Sequence, residues 1–184
     1  MLIYLQHKIS VFFDMEKRRY RKFIRYFLFN WLSLISLNIF AQDMIKPIDR
    51  PVLLSGNFGE LRATHLHTGL DFKTGGREGL PVICVKDGVV ARVKVSATGY
   101  GNALYLEHEG GITTVYGHLS RFVPRIAKVV RNIQYNKESF EVDENMSGYE
   151  LRFRAGDTIA YSGNTGSSGG PRLHFEVRDT KSEH

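Results

Sequence analysis

Three segments of the chain contain residues whose types and spacing could do chemistry. The first, segment 65–71, reads His-Leu-His-Thr-Gly-Leu-Asp and places His67 and Asp71 four residues apart. On an extended strand these two side chains and that of His65 would lie on one face. A histidine and a carboxylate that converge in this way can hold a divalent metal ion. Taken alone, the pattern fits a hydrogen-bonded polar pair on an exposed sheet face equally well.

The second segment, 116–119, reads Tyr-Gly-His-Leu and places His118 at the end of a strand predicted to begin at Ile112. A histidine that ends a strand beside a glycine can lean over a cleft and act as an acid, a base or a hydrogen-bond donor. An ordinary turn histidine is the alternative for this segment taken alone.

The third segment is a Gly/Ser-rich loop, 162–170, that leads directly into a predicted strand. Alternation places the apolar residues of that strand on one face and its polar residues on the other, which separates Leu173, Phe175 and Val177 from Arg172, His174 and Glu176. This pattern predicts a sheet with its core on one side and a groove on the other. The loop lacks the Lys-Ser/Thr ending of a phosphate-binding loop, and the segment contains no Gly-x-Ser-x-Gly elbow.

The elements that must position these groups are mostly strands. Asp87-Gly88 is a turn signal between the apolar runs 82–85 and 89–95. Further runs of strand character cover 103–108, 112–116, 158–161 and 173–177. Short strands at this spacing with glycine turns predict a mainly β, antiparallel sandwich or barrel-like domain.

One stretch departs from the strand pattern. Ile126, Val129, Val130 and Ile133 recur at helical spacing, and Pro124 suits the first position of a helix. A polar segment, 136–147, follows. We therefore predict a helical insertion at about 123–148, most simply a packing cap on the sheet.

The composition is that of one globular domain, and the charge is unevenly distributed. The chain has 184 residues and a formal net charge of +6, and its first 41 residues hold seven basic and two acidic residues. The remainder is therefore nearly neutral, whereas a nucleic-acid-binding domain keeps its Lys and Arg on the folded part. We expect no nucleic-acid partner. The single cysteine, Cys84, has apolar neighbours and is predicted to be a small buried residue.

The first 41 residues have the pattern of an export signal. A basic block at 17–22 precedes an apolar run at 27–40, and Ala41 stands before polar residues. The run is short for a membrane-spanning helix of ~20 residues. Ile39 is an imperfect cleavage signal, so an uncleaved anchor is the alternative, and it would be the chain's one contact with a membrane. Met15 is a candidate for the true start, and residues 42–184 would form the exported domain.

Taken together, the three segments resemble the lysostaphin/LytM-type zinc metallopeptidases, which cut peptides of bacterial cell walls and have the duplicated hybrid motif fold. The order is His-x-x-x-Asp, then Tyr-Gly-His-Leu, then Ser-Gly-Asn-Thr-Gly followed by Gly-Pro-x-Leu-His-Phe-Glu. The resemblance runs from about Ser55 to Arg178 and includes segments 85–90 and 99–102. It implies an antiparallel β domain with an open groove, placed in the periplasm, the cell envelope or outside the cell.

The resemblance also implies roles for particular residues. His67, Asp71 and His174 would be the protein ligands of one Zn²⁺, and His118 would be a catalytic histidine that binds or protonates the water or the oxyanion. Peptidoglycan peptides would lie in the groove, for which His65, Asn102 and Tyr116 are the predicted lining residues.

One residue departs from the family pattern. The last family motif is normally His-x-His, but Arg172 stands at its first position. Arginine remains protonated at physiological pH and cannot accept a proton from water, although it can stabilise an oxyanion or bind a carboxylate. The sequence thus predicts a zinc-dependent endopeptidase acting on peptidoglycan cross-bridges or stem peptides. The alternative is an impaired LytM-like domain that binds the cell wall or activates a cell-wall amidase. The chain ends soon after His174, which favours a truncated C-terminus.

Overall fold

The structure is a computed structural model, and it describes residues 44–62 and 65–182. The predicted signal or anchor at 1–41 lies outside the described residues. Within the described part, no helix is both long enough and apolar enough to cross a membrane.

An eight-stranded antiparallel sheet is the main element that positions the candidate site. Its hydrogen-bonded order is β1, β2, β11, β6, β5, β4 and β8, with β9 also paired to β4. The strands are β1 Leu54–Gly56, β2 Leu70–Lys73, β4 Gly88–Val95, β5 Ala103–His108, β6 Ile112–Gly117, β8 Val142–Asn145, β9 Arg152–Phe153 and β11 Arg172–Asp179.

A second, three-stranded antiparallel sheet has the order β3 Pro81–Ile83, β10 Thr158–Ser162 and β7 Leu119–Phe122. Apolar side chains from both sheets form one core, in which Val82, Leu104, Leu173 and Ile159 are fully buried. Each such side chain contributes about 1.5–3 kcal/mol when it is removed from water. The predicted mainly β, antiparallel fold is confirmed.

The turn predicted at Asp87-Gly88 does separate two strands, but these strands do not pair with each other. β3 pairs with β10 in the small sheet, whereas β4 pairs with β5 in the main sheet. The bend therefore carries the chain from one sheet to the other. The Asp87 side chain stabilises the bend, since it accepts a hydrogen bond from the Ala155 amide at 2.7 Å.

The one described helix, α1, covers Pro124–Lys137 and buries Ile126, Val130 and Ile133. It ends where Glu138 adopts a left-handed conformation and its amide binds the carbonyls at the helix end. The prediction that 123–148 is helical throughout is wrong in its second part. β8 follows there and pairs with β4 at the edge of the main sheet, because Val142 can fill the core beside that edge.

Candidate metal centre and groove

Strand register brings the three sequence segments together. His174 on β11 lies opposite Asp71 on β2 and, on its other side, opposite Gly117 on β6. Directly opposed residues in neighbouring strands share a face and have closely spaced side chains. His118 immediately follows β6, so it reaches the same face. The meeting of residues about 100 positions apart is therefore a property of the main sheet.

His67 lies in the loop before β2 and not on a strand, so the strand alternation used to predict its direction does not apply. Gly69 allows this loop to approach β11 closely. A Cβ atom added to Gly69 would lie 2.4 Å from the Phe175 carbonyl oxygen and 2.9 Å from Cε1 of His174. The absent side chain at this glycine thus permits His67 to reach Asp71.

Three buried ligand atoms converge at this point. Nδ1 of His174 lies 3.0 Å from Oδ1 of Asp71 and 3.0 Å from Nε2 of His67. Nε2 of His67 lies 3.3 Å from the same carboxylate oxygen. Within the described residues, these three side chains form a group able to hold a metal ion.

The outer partners of the two rings orient their lone pairs. Nδ1 of His67 donates to the Asn57 carbonyl at 2.8 Å, and Nε2 of His174 donates to Oε1 of Glu176 at 2.7 Å. When both rings are neutral, their other nitrogens therefore present lone pairs to Asp71. Ring orientation by such partners is characteristic of metal-binding histidines.

The ligand spacing also suits a metal ion. Zinc ligands about 2.0–2.2 Å from the ion in a tetrahedral arrangement would lie about 3.3–3.6 Å apart, close to the observed 3.0–3.3 Å. Three lone pairs at this spacing repel one another unless a cation or a proton lies between them. The residues thus fit a centre with three protein ligands and an open fourth position.

The charges around the triad keep Asp71 ionised. Burial alone would raise its pKa, but the hydrogen bond with His174 and the charge of Arg172 outweigh burial and hold the pKa well below its usual range. Burial likewise disfavours the charged form of His174, yet its bonds to Asp71 and Glu176 raise its pKa. A proton on His174 therefore occupies the position that a metal would take, and metal binding would release it.

Glu176 is a buried part of the site to which sequence reasoning gave no role. Oε1 accepts hydrogen bonds from the hydroxyls of Thr68 and Tyr100, both at 2.5 Å, and Oε2 accepts one from Nε of Arg178 at 2.6 Å. Burial raises its pKa, but the bonds from His174, Thr68 and Tyr100 lower it to about 2. The available signal was its position two residues after His174, on the same strand face.

His118 is neutral at physiological pH, and Arg172 engages its free nitrogen. Nδ1 donates to the Thr165 carbonyl at 2.9 Å, which leaves Nε2 to accept a hydrogen bond from Nη2 of Arg172 at 3.1 Å. Burial and the charge of Arg172 lower the pKa of His118 to about 4. His118 must therefore leave Arg172 before it can accept a proton from another group.

Two glycine loops hold the Thr165 carbonyl in place. Gly101 has φ +64°, and a Cβ atom there would lie 2.4 Å from the carbonyl carbon of Thr165. The Asn102 amide donates to Oγ1 of Thr165 at 2.9 Å, and that hydroxyl donates to the Leu119 carbonyl. The loop after β10 is thus fixed against the loop before β5, and His118 is oriented by the result.

The predicted groove residues have three different positions. His65 lines a cavity of about 460 Å³ together with His118 and His174. Asn102 is a support residue, because its side-chain amide donates to the Leu119 carbonyl at 3.0 Å. The prediction for Tyr116 is wrong: this residue is fully buried in the core, and its hydroxyl accepts a hydrogen bond from the Val85 amide.

Tyr100, and not Tyr116, is the tyrosine that lines the cavity. Its ring stacks on that of His174 with a centroid separation of 5.0 Å. Burial and the hydrogen bond to Glu176 raise its pKa to about 12, so the hydroxyl remains a donor.

Comparisons with known proteins agree with this geometry. Residues 65–135 match peptidase family M23. The chain is 35% identical over 118 residues to the DD-carboxypeptidase/endopeptidase Mpg of Neisseria meningitidis serogroup B, a match that covers 64% of this chain and 21% of Mpg. It is 34% identical over 110 residues to an uncharacterized metalloprotease of Haemophilus influenzae, covering 60% of this chain and 18% of that protein.

Solved structures give the same picture of the fold. A zinc containing peptidase from Vibrio cholerae has a TM-score of 0.54 and 26% identity, covering 76% of this chain and 37% of that one. The catalytic domain of the prophage-encoded M23 protein EnpA from Enterococcus faecalis has a TM-score of 0.50 and 22% identity, covering 70% and 82%. The chain spans about a fifth of the length of the curated relatives it matches. It carries a peptidase M23 domain, and the predicted homology to lysostaphin/LytM-type peptidases is confirmed.

Proposed function

We propose that this chain is a zinc-dependent endopeptidase that hydrolyses peptide bonds in bacterial peptidoglycan. The observation that carries the proposal is the convergence of three lone pairs, from His67, Asp71 and His174, within 3.0–3.3 Å of one another. Two similar proteins support it by their names, one a DD-carboxypeptidase/endopeptidase and the other a zinc containing peptidase. The leader pattern at 1–41 adds the proposal that the protein is exported to the cell envelope, where this substrate lies.

The chain's own residues would divide the work as follows. His67, Asp71 and His174 would hold one zinc ion, which supplies Lewis-acid polarisation and lowers the pKa of water. Tyr100 and Glu176 hold the His174 ring in its orientation. Arg172 is fixed by the Ser168 hydroxyl at 2.7 Å and carries a permanent positive charge beside the cavity. That charge would stabilise an oxyanion of the scissile amide.

His118 is the proton-handling group of this arrangement. Its Nε2 atom can accept a proton only after the hydrogen bond from Arg172 breaks. A substrate group that draws the Arg172 guanidinium away would therefore free His118 for general base catalysis. Since no second histidine stands at position 172, we expect slow turnover.

The contact between Arg172 and His118 also favours a second candidate function. If that contact persists with substrate bound, the chain has metal ligands but no free base. It would then be a catalytically impaired domain that binds the cell wall or activates an amidase.

Digestion of purified muropeptides by the full chain, with and without a chelator, tests the proposal. We expect slow, chelator-sensitive cleavage by the wild type, and an increase of about 10²–10⁴-fold in Arg172→His, because a proton-accepting group returns. The matched variant Arg172→Lys keeps the charge and should show no such increase. Chelator-sensitive cleavage by Arg172→His with none by the wild type would reject the enzyme proposal in favour of the second function. A chain that binds no zinc would reject the ligand assignment as well.

A further inference from the structure

A second cavity lies beside the candidate metal centre. It has a volume of about 460 Å³ and shares Arg62, Asp71 and Arg172 with the cavity that holds the metal ligands. Lys73 and Thr74, at the end of β2, contribute much of the remaining wall. A peptide that crosses the metal centre could therefore place a neighbouring group in this space.

The second cavity collects the unpartnered buried polar groups of the described residues. Three buried side-chain nitrogen or oxygen atoms in that part of the chain have no hydrogen-bond partner: Nε of Arg62, Nε of Arg172 and Oγ1 of Thr74. All three residues line this one cavity. Buried donors without partners are costly, so their concentration at one place indicates a ligand that accepts hydrogen bonds.

Thr74 gives the strongest part of this indication, because the residue is fully buried. Its backbone is held in place, since Nη1 of Arg50 donates to the Thr74 carbonyl at 3.0 Å. Its hydroxyl nevertheless has no partner. A fixed, buried hydroxyl is well prepared to donate to a bound acceptor.

The charge of the second cavity specifies what kind of acceptor fits. The wall contains three cationic side chains, those of Arg62, Lys73 and Arg172, and the single carboxylate of Asp71. Within the described residues, Lys73 forms no ion pair, and the proposed metal would take one oxygen of Asp71. The cavity therefore has surplus positive charge together with surplus hydrogen-bond donors, which is the complement of an anion.

We propose that this second cavity is a subsite for a free carboxylate of the peptide substrate, adjacent to the bond at the metal centre. The inference rests on the proposed function for the identity of the substrate as a peptide. It assigns a purpose to Arg172, since a histidine at that position would supply neither the permanent charge nor the forked donors. It predicts that peptides with a free carboxylate bind more tightly than their amidated forms.

The test is a binding titration of the full chain, carried out with and without a chelator so that a carboxylate held by a metal is distinguished. The probes are N-acetyl-D-alanyl-D-alanine, its C-terminal amide, and an amidated peptide with one glutamate side chain. We expect at least one carboxylate probe to bind about tenfold more tightly than the doubly neutral amide under both conditions. Which one does so identifies the carboxylate as terminal or side-chain.

Two variants and a control locate the binding. Lys73→Ala and Thr74→Val should each reduce the preference for the carboxylate over the amide several-fold. Thr74→Val should fold at least as stably as the wild type, since the lost hydroxyl has no partner. Lys128→Ala removes the same charge from α1, whose residues do not line either cavity, and should leave the preference unchanged.

Equal binding of the carboxylate and amide probes would overturn the subsite, as would equal effects of Lys73→Ala and Lys128→Ala. Failure of the proposed function gives a different result. In that case hydrolysis would be absent while the carboxylate preference and its dependence on Lys73 remained.

Discussion

Two buried histidine clusters lie on the main sheet, and they differ in how their hydrogen bonds balance. One is the metal-centre cluster of His67, Asp71 and His174. The other, the His108 cluster, consists of His108, Thr114 and Tyr116, all of which are also buried. Burial and residue type alone do not distinguish the two.

In the His108 cluster, donors and acceptors match. Nδ1 of His108 donates to the Asp87 carbonyl at 3.0 Å, and Nε2 lies 2.7 Å from the Thr114 hydroxyl. That hydroxyl lies 3.2 Å from the Tyr116 hydroxyl, which accepts from the Val85 amide. The metal-centre cluster instead turns three lone pairs toward one point. A balanced cluster stabilises the fold, whereas a surplus of acceptors indicates a site for a cation.

The largest expected effect separates the two clusters by substitution of one histidine in each. His67→Ala should remove tight metal binding and leave cooperative folding intact, because His67 lies in a loop. His108→Ala should leave the metal stoichiometry of the folded protein unchanged but lower the free energy of unfolding by about 2 kcal/mol or more. Metal analysis and urea unfolding of both variants measure this. Loss of metal in His108→Ala, or full retention in His67→Ala, would contradict the distinction.

The next effect concerns the partner that orients a ligand. Glu176→Gln keeps the size of the side chain but weakens the acceptor for Nε2 of His174. We expect the affinity for zinc to fall about 10–100-fold, as is typical for loss of such a partner. A competition titration with a zinc indicator measures it, with Thr114→Val as the control that should change nothing. Unchanged affinity in Glu176→Gln would assign Glu176 a purely structural role.

A smaller effect compares two fully buried threonines. Thr114→Val removes a hydroxyl with two neighbouring partners and should lower the free energy of unfolding by about 1–3 kcal/mol. Thr74→Val removes an unpartnered hydroxyl and should change stability by no more than about 0.5 kcal/mol, unless it stabilises. Denaturant unfolding of both proteins gives the two values. Equal losses would mean that Thr74 has a partner in solution.

The smallest effect concerns Cys84, the buried thiol that packs in the core near the His108 cluster. Burial raises the pKa of this thiol to about 11, and Sγ donates to the Lys86 carbonyl. Since the thiolate is the reactive form, a thiol reagent at pH 8 should label native protein only as fast as it unfolds. Adding a chelator should not accelerate labelling. Rapid labelling of the native chain would contradict the compact core described here.

Much of the fold follows from local pattern. The strand β5 and the helix α1 begin where alternation and Pro124 predict, because each buries one regular apolar face. Local pattern does not specify pairing, however. The strands on either side of Asp87-Gly88 belong to different sheets, and β8 lies in a polar segment where Val142 alone signals burial.

The candidate site was predictable only where sequence order matched a known motif. That match brought together His67, Asp71, His118 and His174, and the structure places all four around one cavity. Tyr116 could not be excluded from the groove by sequence, because the face toward which its side chain points depends on strand pairing. Arg62 gave no signal, since its approach to Asp71 depends on the loop before β2.

Metal analysis of the purified full chain tests the central claim most directly. The chain should bind one zinc ion per molecule with high affinity, and the triple variant His67→Ala, Asp71→Ala, His174→Ala should bind none while His108→Ala binds one. Absence of zinc from the wild type after reconstitution, or its retention by the triple variant, would contradict the assignment of these three residues as a metal centre.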